Sequence, residues 1–307
     1  MNVDELVVIT YPRHIFITCL VIREAIKHQH WNKPVTVIYD DMFAPRYRTY
    51  QLDLQVQINK YNSNIELNFI PFSKLKCLNH NTIIKQPMKY GWIRQQLIKL
   101  YLDELLNTDN WFVLDGDCVL MENIPCNVNL YPQSYIQDSL SAAFQGYWNY
   151  MYGKEVVIST PHPSNPVPVR CVDRNTLTEL KQHMSTIHKK SFDAIHHDLL
   201  DQNKLIGECD VVMSEWDLIE YYRRQKYNES IAVEIINLCN KNVKFGEDKI
   251  IIKTLYGSDA DLGAKWFRDN GMVVTDETYR IILKNWIKVD SPEYGMVIEN
   301  WNKECSQ

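Results

Sequence analysis

The sequence predicts an α/β fold built on a doubly wound, mostly parallel sheet, with a less regular second half. Two observations predict it. Short apolar runs alternate with amphipathic stretches through residues 5–115, the pattern of strands joined by covering helices. The chain has 307 residues, enough for one large domain of this class. A domain of that size buries about 75% of its unfolded surface and needs no disulfide or metal staple.

The elements follow in order. "ELVVIT" (5–10) is a short buried strand, and 13–29 places apolar residues at helical spacing before a polar end. "PVTVIYDD" (34–41) is a second strand that ends in two acids, and "NIELNFIPF" (64–72) alternates like a third. "YGWIRQQLIKLYLDELL" (90–106) is a strong amphipathic helix with Ile93, Leu97, Leu100, Tyr101 and Leu105 on one face. "WFVLD" (111–115) is the fourth strand. Beyond it, "SAAFQGYW" (141–148) and "EVVIS" (155–159) read as strands, and the proline-rich 160–170 suits neither a central strand nor a helix. Helical patterns return at 173–188, 191–203 and 214–226, followed by "DKIIIKTLYG" (248–257) and a helix from about 259. There is no internal repeat, low-complexity tract or flexible interdomain linker.

Charge and cysteine usage narrow the function classes. A formal net charge of −5 and a pI near 6.0 argue against a general polyanion-binding surface. A local basic rim remains open, with Arg46, Arg48, Arg223, Arg224 and Lys226 to supply it. None of the eight cysteines shows C-x-x-C spacing, which suits reduced buried thiols better than disulfides or a zinc site. The start, "MNVDELVVITYPR", has acids where a secretory signal needs bases, and no run approaches the roughly 18 apolar residues of a membrane span. The expectation is a cytoplasmic protein, or one of the host cytoplasm if viral.

The chemistry concentrates in "NWFVLDGDCVLMEN" (110–123), where Asp115 and Asp117 flank a glycine as a strand leaves the core. In open α/β sheets ligands bind beyond the carboxyl ends of strands. Two carboxylates there offer hard oxygen donors to Mg²⁺ or Mn²⁺ shared with a nucleotide's phosphates. The same tripeptide also suits a solvated turn. "DGDCVL" further matches the D-x-D-x-[TV] opening of haloacid dehalogenase-like phosphatases, with Asp115 as nucleophile and Asp117 as acid/base. Against that reading, a whole α/β unit precedes the motif. Asp259 and Asp261 also lie too close together for that family's second acidic motif.

A wider set of motifs resembles the nucleotide-binding half of GT-A glycosyltransferases. In that half a helix with an R-x-x-x-x-K-type polar edge precedes the strand ending in D-x-D. The resemblance is closest to a bacterial and viral glycosyltransferase-like family carrying G-W-x-x-Q-Q-x-x-K, then D-x-D, then S-E-[YW]-[ED]-L. This chain has Gly91, Trp92, Gln95, Gln96 and Lys99, then Asp115 and Asp117, then "SEWDL" at 214–218. It departs just afterwards, where the family tends toward Tyr-Gly-Asn and this chain has "IEYY".

The resemblance implies a metal-dependent transferase using a nucleoside-diphosphate sugar, UDP-linked in the first instance, and an acceptor hydroxyl. Residues 1–125 would form the nucleotide-sugar-binding half and 126–307 the acceptor-side half of one GT-A domain. Asp117 would hold Mn²⁺ or Mg²⁺, with Asp115 on the metal or the ribose. Arg94, Gln95 and Lys99 would line the diphosphate, and Thr10, Tyr11 and Arg13 would cradle base and ribose. Lys265, in "GAKW", would be a further diphosphate contact. Glu215 would accept the acceptor's proton, with Asp217 second. His162, His196, His197, Asp259 and Asp261 are the pool for a third metal ligand. Ordinary structural roles compete throughout: a solvated helix face for 94–99, a helix entry for Thr10, and a capping box for Ser214 and Asp217. The acceptor could be a glycan, a protein, a small molecule or, in a virus, a hydroxylated DNA base. A non-catalytic carbohydrate-binding protein is the third class, though aromatic residues alone would suffice for it.

Overall fold

The computed structural model describes residues 3–11, 15–41, 50–59, 62–79, 83, 91–116, 118–120, 129–132, 139–154, 169–201, 213, 215–227, 233–239, 242–245 and 249–254. In chain order the elements begin β1 (Glu5–Thr10), α1 (Ile15–His28), β2 (Val35–Tyr39), α2 (Tyr50–Asn59) and β3 (Leu67–Pro71). Two short 3₁₀ turns, Phe72–Lys74 and Lys76–Asn79, lead on to α3 (Gly91–Leu100), α4 (Leu102–Leu105) and β4 (Asn110–Asp115). After β5 (Cys118–Leu120) and β6 (Asn129–Pro132) come α5 (Ser139–Tyr152), β7 (Val169–Asp173), α6 (Arg174–His188), α7 (Phe192–Asp201) and α8 (Glu215–Tyr227). The described part ends with β8 (Val233–Cys239), β9 (Asn242–Phe245) and β10 (Lys249–Thr254).

The main sheet has the order β3-β2-β1-β4-β7. Its first four strands are parallel, and β7 closes the edge antiparallel to β4. The strands run outward from β1 through β2 to β3, and the chain then returns to place β4 on β1's other side. The seam between β1 and β4 is therefore the topological switch point, where a crevice opens beyond the strand ends. This is the mostly parallel α/β sheet that the alternation of apolar runs predicts.

Both faces of the sheet are covered. Val7, Ile9, Ile38, Trp111, Val113 and Val172 share one face and one buried cluster with Leu97 of α3, Trp148 of α5, Leu180 of α6, Leu199 of α7 and Trp216 of α8. The alternate positions Leu6, Val8, Phe112 and Leu114 are equally buried and outside that cluster, as are Val21, Ile22 and Ala25 of α1. Asp115 is in register with Ile9, so strand alternation aims its side chain toward the α3 and α8 side. A second sheet, β5-β10-β9-β8-β6, is antiparallel except for the β6–β8 pair.

Two local expectations are corrected. Residues 141–148 lie within helix α5, not a strand. Its buried residues Tyr147, Trp148, Met151 and Tyr152 recur with helical spacing, and a window cut at 148 loses the second pair. The helix expected over 90–106 breaks at Tyr101 (φ −118°, ψ 18°) into α3 and α4. There the Tyr101 amide bonds Ile98 O at 3.1 Å and the phenol bonds Asp193 of α7. The strands β5, β6, β8 and β9 and the helix α2 were not foreseen. "EVVIS" and the helix from 259 lie outside the described residues. Strand β7 starts only after the last proline and takes an edge, where a proline-rich approach costs no ladder bond.

Among the described residues no helix is long and apolar enough to cross a membrane. Cys19, Cys77 and Cys171 are buried thiols outside any disulfide.

Candidate functional site

The seam between β1 and β4 is drawn tight by a glycine. Gly116 N donates to Ile9 O at 2.8 Å, extending the β1–β4 pairing one residue past β4. A Cβ at Gly116 would lie 2.5 Å from both Cβ and Oγ1 of Thr10 and 3.0 Å from Ile9 O. Real Cβ atoms do not approach that closely, so the middle residue of "DGD" is set by contact with β1 rather than by turn preference. Thr10 is itself buried, its hydroxyl 2.6 Å from that of Thr18 and its carbonyl accepting from Asp40 N at 3.1 Å. Its hydroxyl thus serves the β1–α1 packing in place of the cradle for base and ribose expected of it.

Asp115 emerges from this seam with a side chain 17% exposed. Lys99 Nζ, in the last turn of α3, lies 2.9 Å from Asp115 Oδ1 and 3.2 Å from Oδ2. Gln95, one turn earlier on the same helix edge, donates Nε2 to Oδ1 at 3.2 Å. Lys99 Nζ also lies 2.9 Å from Glu215 Oε1, at the first turn of α8, and 3.4 Å from Gln96 Oε1. The Trp216 ring centroid is 5.1 Å away. Lys99 and Glu215 side chains are each only 2% exposed. The fold thus joins three motifs separated by up to 116 residues around one ammonium.

The electrostatics follow from burial. Burial alone would lower the Lys99 pKa, but the Asp115 and Glu215 carboxylates outweigh it and hold the ammonium well above its usual range. Burial pushes the Glu215 carboxyl up, Lys99 opposes this and Asp115 adds to it. Tyr147 of α5 has its phenol raised by burial and then by the field of Glu215. Its OH is 3.0 Å from His196 Nε2, while His196 Nδ1 is 3.1 Å from Phe192 O. The carbonyl can only accept, so Nδ1 carries the proton and Nε2 accepts from the phenol. Burial depresses this imidazole to about 4.

Arg94 and Tyr11 occupy other places than expected. The Arg94 side chain is fully buried and its guanidinium pairs with the fully buried Asp40 just past β2. It lies on the β2 side of α3, so the expectation of a solvent-facing phosphate contact is corrected. Tyr11 donates to Gly91 O at 2.6 Å and sets its ring edge-on to Phe72, centroids 6.5 Å apart. Burial, then Asp40, raises its phenol. It fastens the β1 loop to the start of α3, in place of the base-and-ribose contact expected. Asp40 was missed as a site residue; the two acids noted at the end of "PVTVIYDD" were its only signal.

Asp117, Arg13, His162, Lys265, Asp259 and Asp261 lie outside the described residues, and so does the side chain of Asp217. Of the third-ligand pool, His196 has both nitrogens engaged, and His197 Nε2 is 3.2 Å from Cys77 O. Among the described residues no group of three or more His, Cys, Asp or Glu could hold a metal. Asp115 by itself fits a hard cation: its carboxylate is partly open, and of its roughly four acceptor sites Lys99 and Gln95 use only part. Of the basic clusters, Arg46 and Arg48 are outside the described residues. Arg223 lies 3.9 Å from Asp173, and Lys226 pairs with Glu179.

Comparison with other proteins adds three findings. The model of a "Family of unknown function (DUF6492)" matches residues 58–194, less than half of the chain. A search of curated proteins returned no match. Among solved structures, the chain is similar to the galactosyltransferase LgtC in complex with donor and acceptor sugar analogues, at TM-score 0.36 and 11% identity, over 64% of this chain and 70% of that one. An active-site mutant of LgtC aligns at TM-score 0.37 and 10% identity, over 63% and 69%. Mouse xyloside xylosyltransferase 1 in its apo form aligns at TM-score 0.40 and 8% identity, over 84% and 99%.

Proposed function

We propose that this protein is a metal-dependent GT-A-type glycosyltransferase that moves a sugar from a nucleoside-diphosphate sugar, UDP-linked in the first instance, to an acceptor hydroxyl. The observation that carries the reading is the place of Asp115. It stands at the carboxyl end of β4, at the switch point of a parallel sheet, partly open and facing a second carboxylate, Glu215, through Lys99. Residues 1–125 act as the donor half and 126–307 as the acceptor half.

Asp117 and Asp115 are the residues that would hold Mn²⁺ or Mg²⁺. The bound ion supplies Lewis-acid stabilisation of the charge on the departing diphosphate. Gln95 and Lys99 fix the rotamer of Asp115, so that its remaining lone pairs face the crevice. Glu215 takes the proton of the acceptor hydroxyl as that oxygen bonds the anomeric carbon and the bond to the diphosphate oxygen breaks. Its raised pKa makes it a better proton acceptor than an ordinary surface glutamate. Asp217, on the same first turn of α8, is the second candidate, and Arg13 and Lys265 are further donor contacts.

A screen of UDP-, GDP- and CMP-sugars with Mn²⁺, reading released nucleotide, tests this. One donor should be hydrolysed slowly without acceptor, and Asp115→Ala or Asp117→Ala should abolish the release. Turnover of aryl phosphates with no nucleotide-sugar cleavage would reverse the assignment in favour of a phosphatase with Asp115 as nucleophile.

A further inference from the structure

We infer that Lys99 is the positioning residue of this site, clamping Glu215 of the acceptor half to Asp115 of the donor half, and that it does not grip the donor's phosphates. The inference rests on the transferase reading for its catalytic consequence and on geometry alone for the clamp.

An ammonium has three N–H donors. Three acceptors surround Lys99 Nζ: the Asp115 carboxylate at 2.9 Å, Glu215 Oε1 at 2.9 Å and Gln96 Oε1 at 3.4 Å. Its open side is taken by the face of Trp216, 5.1 Å from the ring centroid. The side chain is 2% exposed. A phosphate would find no spare proton on it.

The arrangement also accounts for lysine at this position. The acceptors come from β4, from α8 and from α3's own preceding turn, so they point at one centre from three directions. A compact ammonium satisfies them, whereas a planar guanidinium fork cannot. The two bridged carboxylates differ in setting. Asp115 keeps 17% exposure and is more readily hydrated if Lys99 is lost than Glu215 at 2%. Removing the ammonium therefore takes from one buried charge, that of Glu215, the cation it pairs with. Gln96 and Trp216 flank the bridge on the two helices it joins, so the clamp also fixes α8 against α3 at the level of Asp115.

The test compares Lys99→Met, Glu215→Gln and the double variant, by thermal melting and by steady-state kinetics on whichever donor the screen identifies. Lys99→Met should melt well below the native protein. Adding Glu215→Gln should raise the melting temperature again, because the buried charge is removed with its partner. This comparison decides the clamp whether or not the native protein transfers sugar. Additive losses, or no recovery on adding Glu215→Gln, overturn it. In kinetics, Lys99→Met should lower kcat by about 10²–10⁴-fold, as far as Glu215→Gln does, with the double variant no slower than either. Donor KM should stay within about threefold, because Lys99 makes no phosphate contact and Gln95 still holds Asp115 in its direction. Lys99→Arg should not restore kcat. A Lys99→Met enzyme with a donor KM raised tenfold or more at unchanged kcat would make Lys99 a phosphate ligand and refute the inference.

Discussion

Gly116→Ala is the sharpest test of how the site is built. The added Cβ would stand 2.5 Å from Thr10 Cβ and Oγ1 and 3.0 Å from Ile9 O. None of these is the free end of a flexible side chain. Thr10 is buried, its hydroxyl held by Thr18, and Ile9 O already accepts from Gly116 N. Relief must come from separating β1 and β4 at their carboxyl ends. Overpacking of this kind costs about 1–3 kcal/mol. Because the opened seam includes the 2.8 Å bond that closes the β1–β4 ladder, the upper half of that range is expected.

Urea unfolding measures the cost, with the midpoint falling and the slope unchanged. The same displacement moves Asp115 away from Lys99 and Gln95, so Mn²⁺-dependent UDP affinity should drop along with stability. Thr10→Gly in the same chain removes the two closest contacts, and the pair should be non-additive by about 1 kcal/mol in the favourable direction. A Gly116→Ala protein with an unchanged midpoint would refute the claim that contact with β1 dictates the glycine.

Two further predictions address the buried charges. Asp40→Asn leaves the Arg94 guanidinium, fully buried, without its carboxylate, and should cost about 3–5 kcal/mol in urea unfolding; a loss under about 1 kcal/mol would show that the pair is not the anchor of α3 on β2. Burial depresses His196 from the ordinary 6.5 of an imidazole to about 4, so its contribution to stability is present above pH 6.5 and lost as pH falls through about 4. That shift is worth about 3 kcal/mol. Glu215, with a raised pKa, works in the opposite sense, favouring the folded state as pH falls toward its unfolded value. Stability measured from pH 7 to pH 4.5 should therefore fall more steeply in the native protein than in His196→Gln, and equal slopes would remove His196 from the account.

The sequence made residues 5–115 legible because their signals are local. Each of the runs 5–10, 34–41, 64–72 and 111–115 contains an observed parallel strand, and the apolar face of 90–100 is buried as its period requires. Asp115, Gln95, Lys99 and Glu215, chosen from motif order, lie within one hydrogen-bonded group. The burial of Lys99 was not legible. A lysine on a helix is ordinarily solvated, and only the arrival of Glu215 from 116 residues away turns it inward. Arg94 failed for a similar reason. One residue before Gln95 it faces around the helix toward β2, and its partner Asp40 becomes a neighbour only once β2 is placed beside β1.

These misreadings share one cause, which bears on how the site works. Periodicity says which residues of a helix share an edge, and so it grouped Arg94, Gln95 and Lys99 as one cationic rim awaiting an anion. The tertiary fold instead supplies each cation with a carboxylate of its own: Asp40 for Arg94, and Asp115 with Glu215 for Lys99. An anionic ligand then gains little from this helix directly, because both cations already have internal partners. What the helix provides is the fixed direction of Asp115. The cation for the donor's diphosphate must come from outside the chain or from residues beyond α3, which is why the transferase reading assigns that charge to a divalent metal. Titration of the protein with UDP alone and with UDP plus Mn²⁺ separates the two cases. Metal-independent affinity that survives Asp117→Ala would show that side chains suffice and that the metal assignment is wrong.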